Sequence, residues 1–208
     1  ALKPLDELTL LQAENSLTQA KNSKQKAEDN IKKAYEDGFN TVSDAFLKLP
    51  GVMTGLDDVF FDEGDFERYQ WNIDWYLNQV SLDNRDKATR YRDDVTVAYN
   101  KARTAYTKTF DDYKAASRIS DTQTIEALIT ETYETTKLIA EAVKVSNNYI
   151  DFVQDDMEKY DRNIPSLLST HQSNIDSYTG TTNSNLLSLL SIQTSLKDSR
   201  DAIVDADT

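Results

Sequence analysis

The sequence predicts an all-α protein, an elongated antiparallel up-down-up-down helical bundle (an extended coiled-coil hairpin) with its termini at one end. Apolar residues recur every three or four positions through most of the 208 residues, which places them on one face of a helix. Only five glycines and no cysteine interrupt these patterns. The turns are therefore expected to be short, and short turns join antiparallel neighbours. We expect one domain covering residues 1–208.

The first helix is expected from about Leu5 to Leu49. Its apolar face consists of Leu10, Ala13, Leu17, Ala20, Lys24, Ala27, Ile31 and Ala34, and then drifts to Tyr35, Phe39, Val42, Phe46 and Leu49. Such a drift indicates a stutter in the heptad pattern. Pro50-Gly51 is expected to end the helix, because both residues are typical of helix ends.

The second helix is expected from about Phe66 to Ala116, after a connection over residues 52–65 that contains a short apolar element. Asp65 is a suitable N-cap for it. Its apolar pattern is interrupted at residues 81–84, around Leu82. We expect one long helix, and a bend or break at that point is the open alternative.

The third and fourth helices follow two further turns. Ser120 with Gln123 has the spacing of a capping box, and Asp121 is an alternative cap, so the third helix is expected from there to about Tyr160. The fourth is expected from Pro165 to about Val204, since proline suits a first helical turn. Gly180 lies inside it and predicts a local kink or a close helix contact.

Composition excludes several partners. The formal net charge is −13, from 36 acidic and 23 basic residues. Nucleic acids and anionic membranes attract basic proteins, so neither is expected as a partner. No run of about 18 apolar residues occurs, so we expect no membrane insertion by this segment. The sequence begins without a signal peptide, and both of its ends lie within helical patterns. These features favour a piece of a longer, membrane-anchored protein.

No motif for catalysis, a cofactor or a metal is recognisable. His171 is the one histidine of the chain and lies on the apolar face of the fourth helix, where a structural role is expected. The acidic cluster of Asp57, Asp58, Asp62, Glu63 and Asp65 lacks the spacing of a calcium loop and is interpreted as a solvated end of the bundle.

The aromatic-rich stretch over residues 60–76 is the most unusual local feature. Aromatic side chains either plug the end of a bundle or, when exposed, anchor a protein partner. The core interpretation is favoured, and the candidates for partner contact at this tip are Met53, Leu56, Phe60, Phe61, Phe66, Trp71 and Trp75.

Several stretches together resemble one family. They are residues 5–8 with 12–17, residues 34–42, residues 49–56 (Leu-Pro-Gly-Val-Met-Thr-Gly-Leu), residues 99–106 and residues 178–184 (Tyr-Thr-Gly-Thr-Thr-Asn-Ser). The chain resembles the helical hairpin domain of haemolysin-D-type membrane-fusion proteins, the periplasmic adaptor subunits of bacterial efflux and secretion systems. Two of these stretches, residues 49–56 and residues 178–184, are more specific for the family than the others.

The resemblance implies a non-enzymatic structural role. It implies a host protein anchored in the inner membrane, with a lipoyl-like domain split around this hairpin, on the extracytoplasmic side. The implied partners are an inner-membrane transporter, outer export components and other adaptor protomers, so the full-length protein is expected to form homo-oligomers. Arg118-Ile119-Ser120 is similar to the family's tip motif, although the predicted topology puts it at the end near the termini.

One alternative stays open from the residues alone. Ligand-sensing domains of chemoreceptors and sensor kinases are also extracytoplasmic four-helix bundles with both termini at one end. Such a domain needs a small-molecule pocket between its helices. A carboxylate enzyme is a weaker alternative, since no catalytic motif accompanies the acidic residues.

Overall fold

The computed structural model describes residues 4–206, with side chains from residue 7 onwards. This part of the chain forms five α-helices: α1 (Pro4–Phe61), α2 (Asn72–Gln79), α3 (Arg85–Ala115), α4 (Thr122–Lys159) and α5 (Ser166–Ala206). The predicted all-α bundle is confirmed. Residues 1–3 and 207–208, on which the expectation of a longer protein partly depended, lie outside the described residues.

Helix α1 does not end at Pro50-Gly51, so that prediction was wrong. It continues through Pro50 for 58 residues in all, or roughly 87 Å at 1.5 Å per residue. Proline removes one backbone hydrogen bond and normally kinks or breaks a helix. Here the residues around it are core residues, with Leu49, Val52 and Met53 almost fully buried. Tertiary packing therefore outweighs the local stop signal.

The second predicted helix is divided, so the expectation of one long helix from Phe66 was wrong, and the alternative of a break near Leu82 is confirmed. A loop over residues 62–71 precedes α2, and a 3-10 turn (Leu82–Asn84) separates α2 from α3. Val80 and Ser81 are extended, with ψ angles of 141° and 153°. The buried Asp156 carboxylate of α4 accepts hydrogen bonds from Ser81 N at 2.7 Å, Ser81 Oγ at 2.9 Å and Asn84 Nδ2 at 2.6 Å. A side chain 75 residues away thus holds the break.

The two C-terminal helices agree with the prediction to within about two residues. Asp121 is the N-cap of α4, since its Oδ1 accepts a hydrogen bond from Thr124 N at 2.9 Å. Gly180 is exposed, and a Cβ placed there would meet nothing within 4 Å. The predicted close helix contact at Gly180 is therefore wrong.

Contacts between the helices define their directions. Along α1 and α5, Gly55 lies against Tyr178 while Tyr35 accepts a hydrogen bond from Arg200, so these two helices are antiparallel. The α3–α4 pair is also antiparallel and shares a buried hydroxyl pair, Thr109 and Thr135, at 2.8 Å. The core forms two clusters: a larger one at the end where the 62–71 loop lies, and a smaller one around Phe46, Ile129 and Leu189.

The N-terminal part of α1 lies outside this core. Every residue from 7 to 26 is exposed, and Ala27 is the one buried residue of the described chain before Ala34. From Ala34 onwards α1 has buried residues in every turn up to Phe60. The helix therefore projects beyond the bundle at one end and forms its core at the other.

Candidate interaction site at the loop end

The 62–71 loop is fixed to the ends of α1 and α2 by polar contacts. Asn72 N donates to Asp62 O at 3.0 Å, and Trp71 Nε1 donates to Glu63 Oε1 at 2.6 Å. The fully buried Asn72 side chain donates through Nδ2 to Asp58 O at 3.0 Å and to Asp65 Oδ2 at 2.8 Å. Asp65 therefore anchors the loop instead of capping a helix that starts at Phe66.

Beneath the loop lies an aromatic cap, which we define as Phe60, Phe66, Trp75, Tyr76, Tyr149 and His171. Phe66 stacks on Trp75 with ring centroids 4.0 Å apart. Tyr76 meets Phe60 and Phe66 edge-on at 5.9 and 5.5 Å. Offset and edge-to-face pairs of this kind stabilise by roughly 0.5–1.5 kcal/mol each beyond the area they bury. The cap thus joins the loop to α1, α2, α4 and α5.

Two tyrosine hydroxyl groups satisfy backbone carbonyls inside the cap. Tyr149 OH donates to Ile73 O at 2.9 Å, and Tyr76 OH lies 3.1 Å from Val59 O and also contacts His171 Nδ1. Burial raises the pKa of both phenols far above the physiological range. Burial lowers the pKa of His171 below its ordinary value, against the opposing effect of Asp65 and Asp58. The three groups are therefore uncharged at neutral pH.

The predicted contact residues divide between core and surface. Met53, Leu56 and Phe60 are buried in the larger core cluster and present no surface to a partner, which corrects their inclusion as contact candidates. Phe61, Phe66 and Trp75 are partly buried and pack against that cluster. Trp71 is 48% exposed, so it is the one member of the set with a large surface open to solvent.

Three further side chains at this end are exposed, and the sequence did not predict them as contact candidates. Tyr69 is 79% exposed, adopts a positive φ of 65° and carries the Arg68 guanidinium 4.7 Å from its ring centroid. Leu82, in the 3-10 turn, and Tyr160, at the end of α4, are also exposed. Tyr69 belongs to the aromatic-rich stretch, but the sequence pattern did not predict that its side chain is exposed. The turn at Leu82 depends on Asp156, which no local pattern reveals.

The two most specific stretches of the resemblance meet in the structure. A Cβ on Gly55, from residues 49–56, would lie 1.9 Å from Tyr178 OH, from residues 178–184. Gly38, from residues 34–42, is similarly close to α4, since its Cβ would lie 2.6 Å from Ile129 Cδ1. Glycine at these positions lets side chains of neighbouring helices pack against the α1 backbone.

A separate open groove lies between α4 and α5. It has a volume of about 530 Å³ and is lined mainly by polar side chains, among them Lys137, Lys144, Asn147, Asp176 and Asn183. The two lysines form ion pairs with Glu134 and Glu141, at 2.9 and 3.3 Å. A small polar ligand would find several hydrogen-bonding groups in this groove.

Within residues 7–206, whose side chains the structure describes, no group of three or more histidine, aspartate or glutamate side chains is arranged to hold a metal ion. In the same range, no helix combines the length and the apolar character needed to cross a membrane.

Comparison with known proteins gives no relative. No family model, no curated protein and no solved structure matches the chain.

Proposed function

We propose that this chain is a non-enzymatic helical domain of a bacterial membrane-fusion protein, an adaptor that bridges an inner-membrane transporter to outer components of an export route. The observation that carries the proposal is the contact between Gly55 and Tyr178. These residues belong to the two stretches on which the resemblance is most specific. The contact gives both stretches a common role, since it packs α5 against the backbone of α1.

The proposal includes an elongated hairpin with both termini at one end, on the extracytoplasmic side of the membrane. It is supported by the antiparallel pairing of α1 with α5 and by the length of α1, roughly 87 Å over 58 residues. The role is mechanical: the helices supply reach and the ends supply contacts. The loop end, with exposed Tyr69 and Trp71, is the proposed surface for an export component.

The test is site-specific photocrosslinking of the full-length protein in its own cells. A photoreactive residue at Tyr69 or Trp71 is expected to capture a component of the export system, identified by mass spectrometry. The matched control carries the probe at Val97, which is also about half exposed but lies in the middle of α3. Absence of any transporter, export channel or adaptor protomer among the captured proteins would overturn the proposal.

A ligand-sensing bundle is the second candidate, and the polar groove between α4 and α5 favours it. A ligand that binds the folded state raises the melting temperature in proportion to the logarithm of its concentration. A thermal shift series with amino acids and organic acids checks this. A shift that Asn183→Ala and Asp176→Ala abolish would support the sensor, and no shift at millimolar concentrations would remove it.

A further inference from the structure

His171 is the chain's one histidine and sits where the loop, α1, α2 and α5 meet. It is 6% exposed. Its ring meets Phe66 of the loop edge-on, with centroids 5.7 Å apart and an interplanar angle of 89°. Phe66 in turn stacks on Trp75 at 4.0 Å. His171 therefore contacts the loop directly through the ring of Phe66.

The hydrogen bonds around His171 determine where an added proton would go. Tyr76 OH has one hydrogen and lies near both Val59 O and His171 Nδ1. The carbonyl can only accept, so the hydroxyl donates to Val59 O, and Nδ1 must carry the hydrogen that it donates to the Tyr76 oxygen. The remaining ring nitrogen, Nε2, is then the site of protonation.

The surroundings disfavour the protonated ring. Asp58 of α1 and the loop's Asp65 are the charged groups that act on it, and both favour protonation. From α2 and α4 the cap presents Tyr76 and Tyr149, both uncharged. Burial outweighs the two carboxylates, so the pKa of folded His171 lies below its ordinary value of 6.5. The unfolded chain binds the proton more readily, and stability is lost as pH falls through 6.5 towards the folded value.

We infer that His171 is an acid-sensitive latch, whose protonation loosens the contact with Phe66 and releases the 62–71 loop from the end of the bundle. The cation gains hydration only if water enters beside it, and Phe66 of the loop packs edge-on against the same ring. The loop carries the exposed Tyr69 and Trp71, so the device would change the surface that this end presents. The inference concerns the chain itself and does not rest on the proposed function.

The test uses the histidine's own NMR signal, which needs no assignment because the chain has one histidine. The C2–H resonance of His171 is followed from pH 8 to 5, together with tryptophan fluorescence and near-ultraviolet circular dichroism of the cap. We expect a midpoint below 6.5 and an aromatic transition with the same midpoint. A midpoint at or above 6.5, or an aromatic signal that stays constant through it, would overturn the inference.

Variants separate the latch from general acid sensitivity. The unfolding constant should rise between pH 7.5 and 5.5, by up to about tenfold for each pH unit separating the folded and unfolded pKa values. His171→Gln should abolish this dependence and the aromatic transition. Tyr76→Phe should shift the midpoint, whereas Tyr149→Phe, which loses a buried hydroxyl without a contact to His171, should not. If His171→Gln retains the transition, the latch lies elsewhere. If that variant fails to fold, the wild-type titration alone decides.

Discussion

The two parts of α1 share one sequence pattern and differ in what surrounds them. Residues 7–26 and residues 34–61 both carry apolar residues at three- and four-residue spacing. In the first part Leu10 and Leu17 are more than half exposed, while in the second Leu49 and Phe60 are completely buried. Periodicity alone therefore predicts which residues share a face, and not whether another helix covers that face.

The side chains explain part of this difference. The buried part contains aromatic residues at Phe39, Phe46, Phe60 and Phe61, which contact rings of α3 and α4. The projecting part has alanine and leucine on the same face, diluted by Lys24. Aromatic side chains bury a large area each, so each of these rings adds more burial to the packed part than an alanine does.

The largest expected effect contrasts Phe60→Ala with Leu17→Ala. Phe60 packs between Tyr76 and Tyr149 with centroid distances of 5.9 and 6.4 Å. Its truncation leaves a cavity and should lower the free energy of unfolding by about 3–5 kcal/mol. Leu17→Ala should change it by less than about 0.5 kcal/mol. Urea unfolding at 25 °C measures both, and similar losses would show that the projecting part is packed in solution.

The next effect compares two glycines of the packed part, Gly55 and Gly51. Alanine normally stabilises a helix over glycine by about 1 kcal/mol, and a Cβ at Gly51 would meet nothing within 4 Å. Gly51→Ala should therefore stabilise. Gly55→Ala must displace Tyr178 and should cost about 1–3 kcal/mol. Thermal unfolding gives the sign directly. Stabilisation by both changes would mean that Tyr178 leaves α1 easily.

Asp156 tests whether the loop end also depends on buried polar contacts between different parts of the chain. Burial alone would raise the pKa of Asp156, but hydrogen bonds from Asn84 and Ser81 lower it below its ordinary value of 3.8. Asp156→Asn should cost about 1–3 kcal/mol at pH 7. Because the folded pKa is lowered, the carboxylate's contribution is present above pH 3.8 and lost as pH falls through the folded value.

The measurement for Asp156 is urea unfolding at pH 7 and at pH 3. The difference between wild type and Asp156→Asn should shrink at the lower pH. Asp155→Asn is the matched control, since that neighbouring residue is exposed and should have little effect at either pH. A difference that is equal at both pH values would contradict the role of the charge.

The smallest effect is expected where the packed part begins. Tyr35 donates a hydrogen bond to Glu126 of α4, and Arg200 of α5 pairs with the same carboxylate. Glu126→Gln should cost less than about 1 kcal/mol, because both charged partners are partly exposed. The free energy of unfolding, measured in low salt and in 1 M salt, checks this. Glu134→Gln is the control, because its partner Lys137 lies on the same helix. A salt-independent loss above 2 kcal/mol would indicate a more deeply buried boundary.

Sequence reasoning predicted α4 and α5 well because their signals are local. Asp121 caps α4, and the Asn163–Pro165 turn precedes α5 at the expected place. It failed at Pro50, where a local stop signal is outweighed by packing of Leu49 and Val52 against other helices. It also left the division near Leu82 open, since the residue that holds it, Asp156, is distant in the sequence.

The candidate site was only partly predictable. The aromatic composition of residues 60–76 favoured a core at one end of the bundle, and Phe60, Tyr76 and His171 are buried there. Which rings are exposed depends on the path of the 62–71 loop. That path is determined by Asn72, whose Nδ2 donates to Asp65 Oδ2 and to Asp58 O. No sequence motif predicts these two hydrogen bonds.

Because α1 is continuous through Pro50, a movement at one end of the helix can displace the other end. One unbroken helix joins the loop end to the projecting end, so a small rotation at the cap is amplified by distance. For a rod of roughly 87 Å, a tilt of roughly 4° at one end moves the other by roughly 6 Å. Had the helix ended at Pro50-Gly51, the two ends would be joined by a hinge, and such a displacement would be absorbed there.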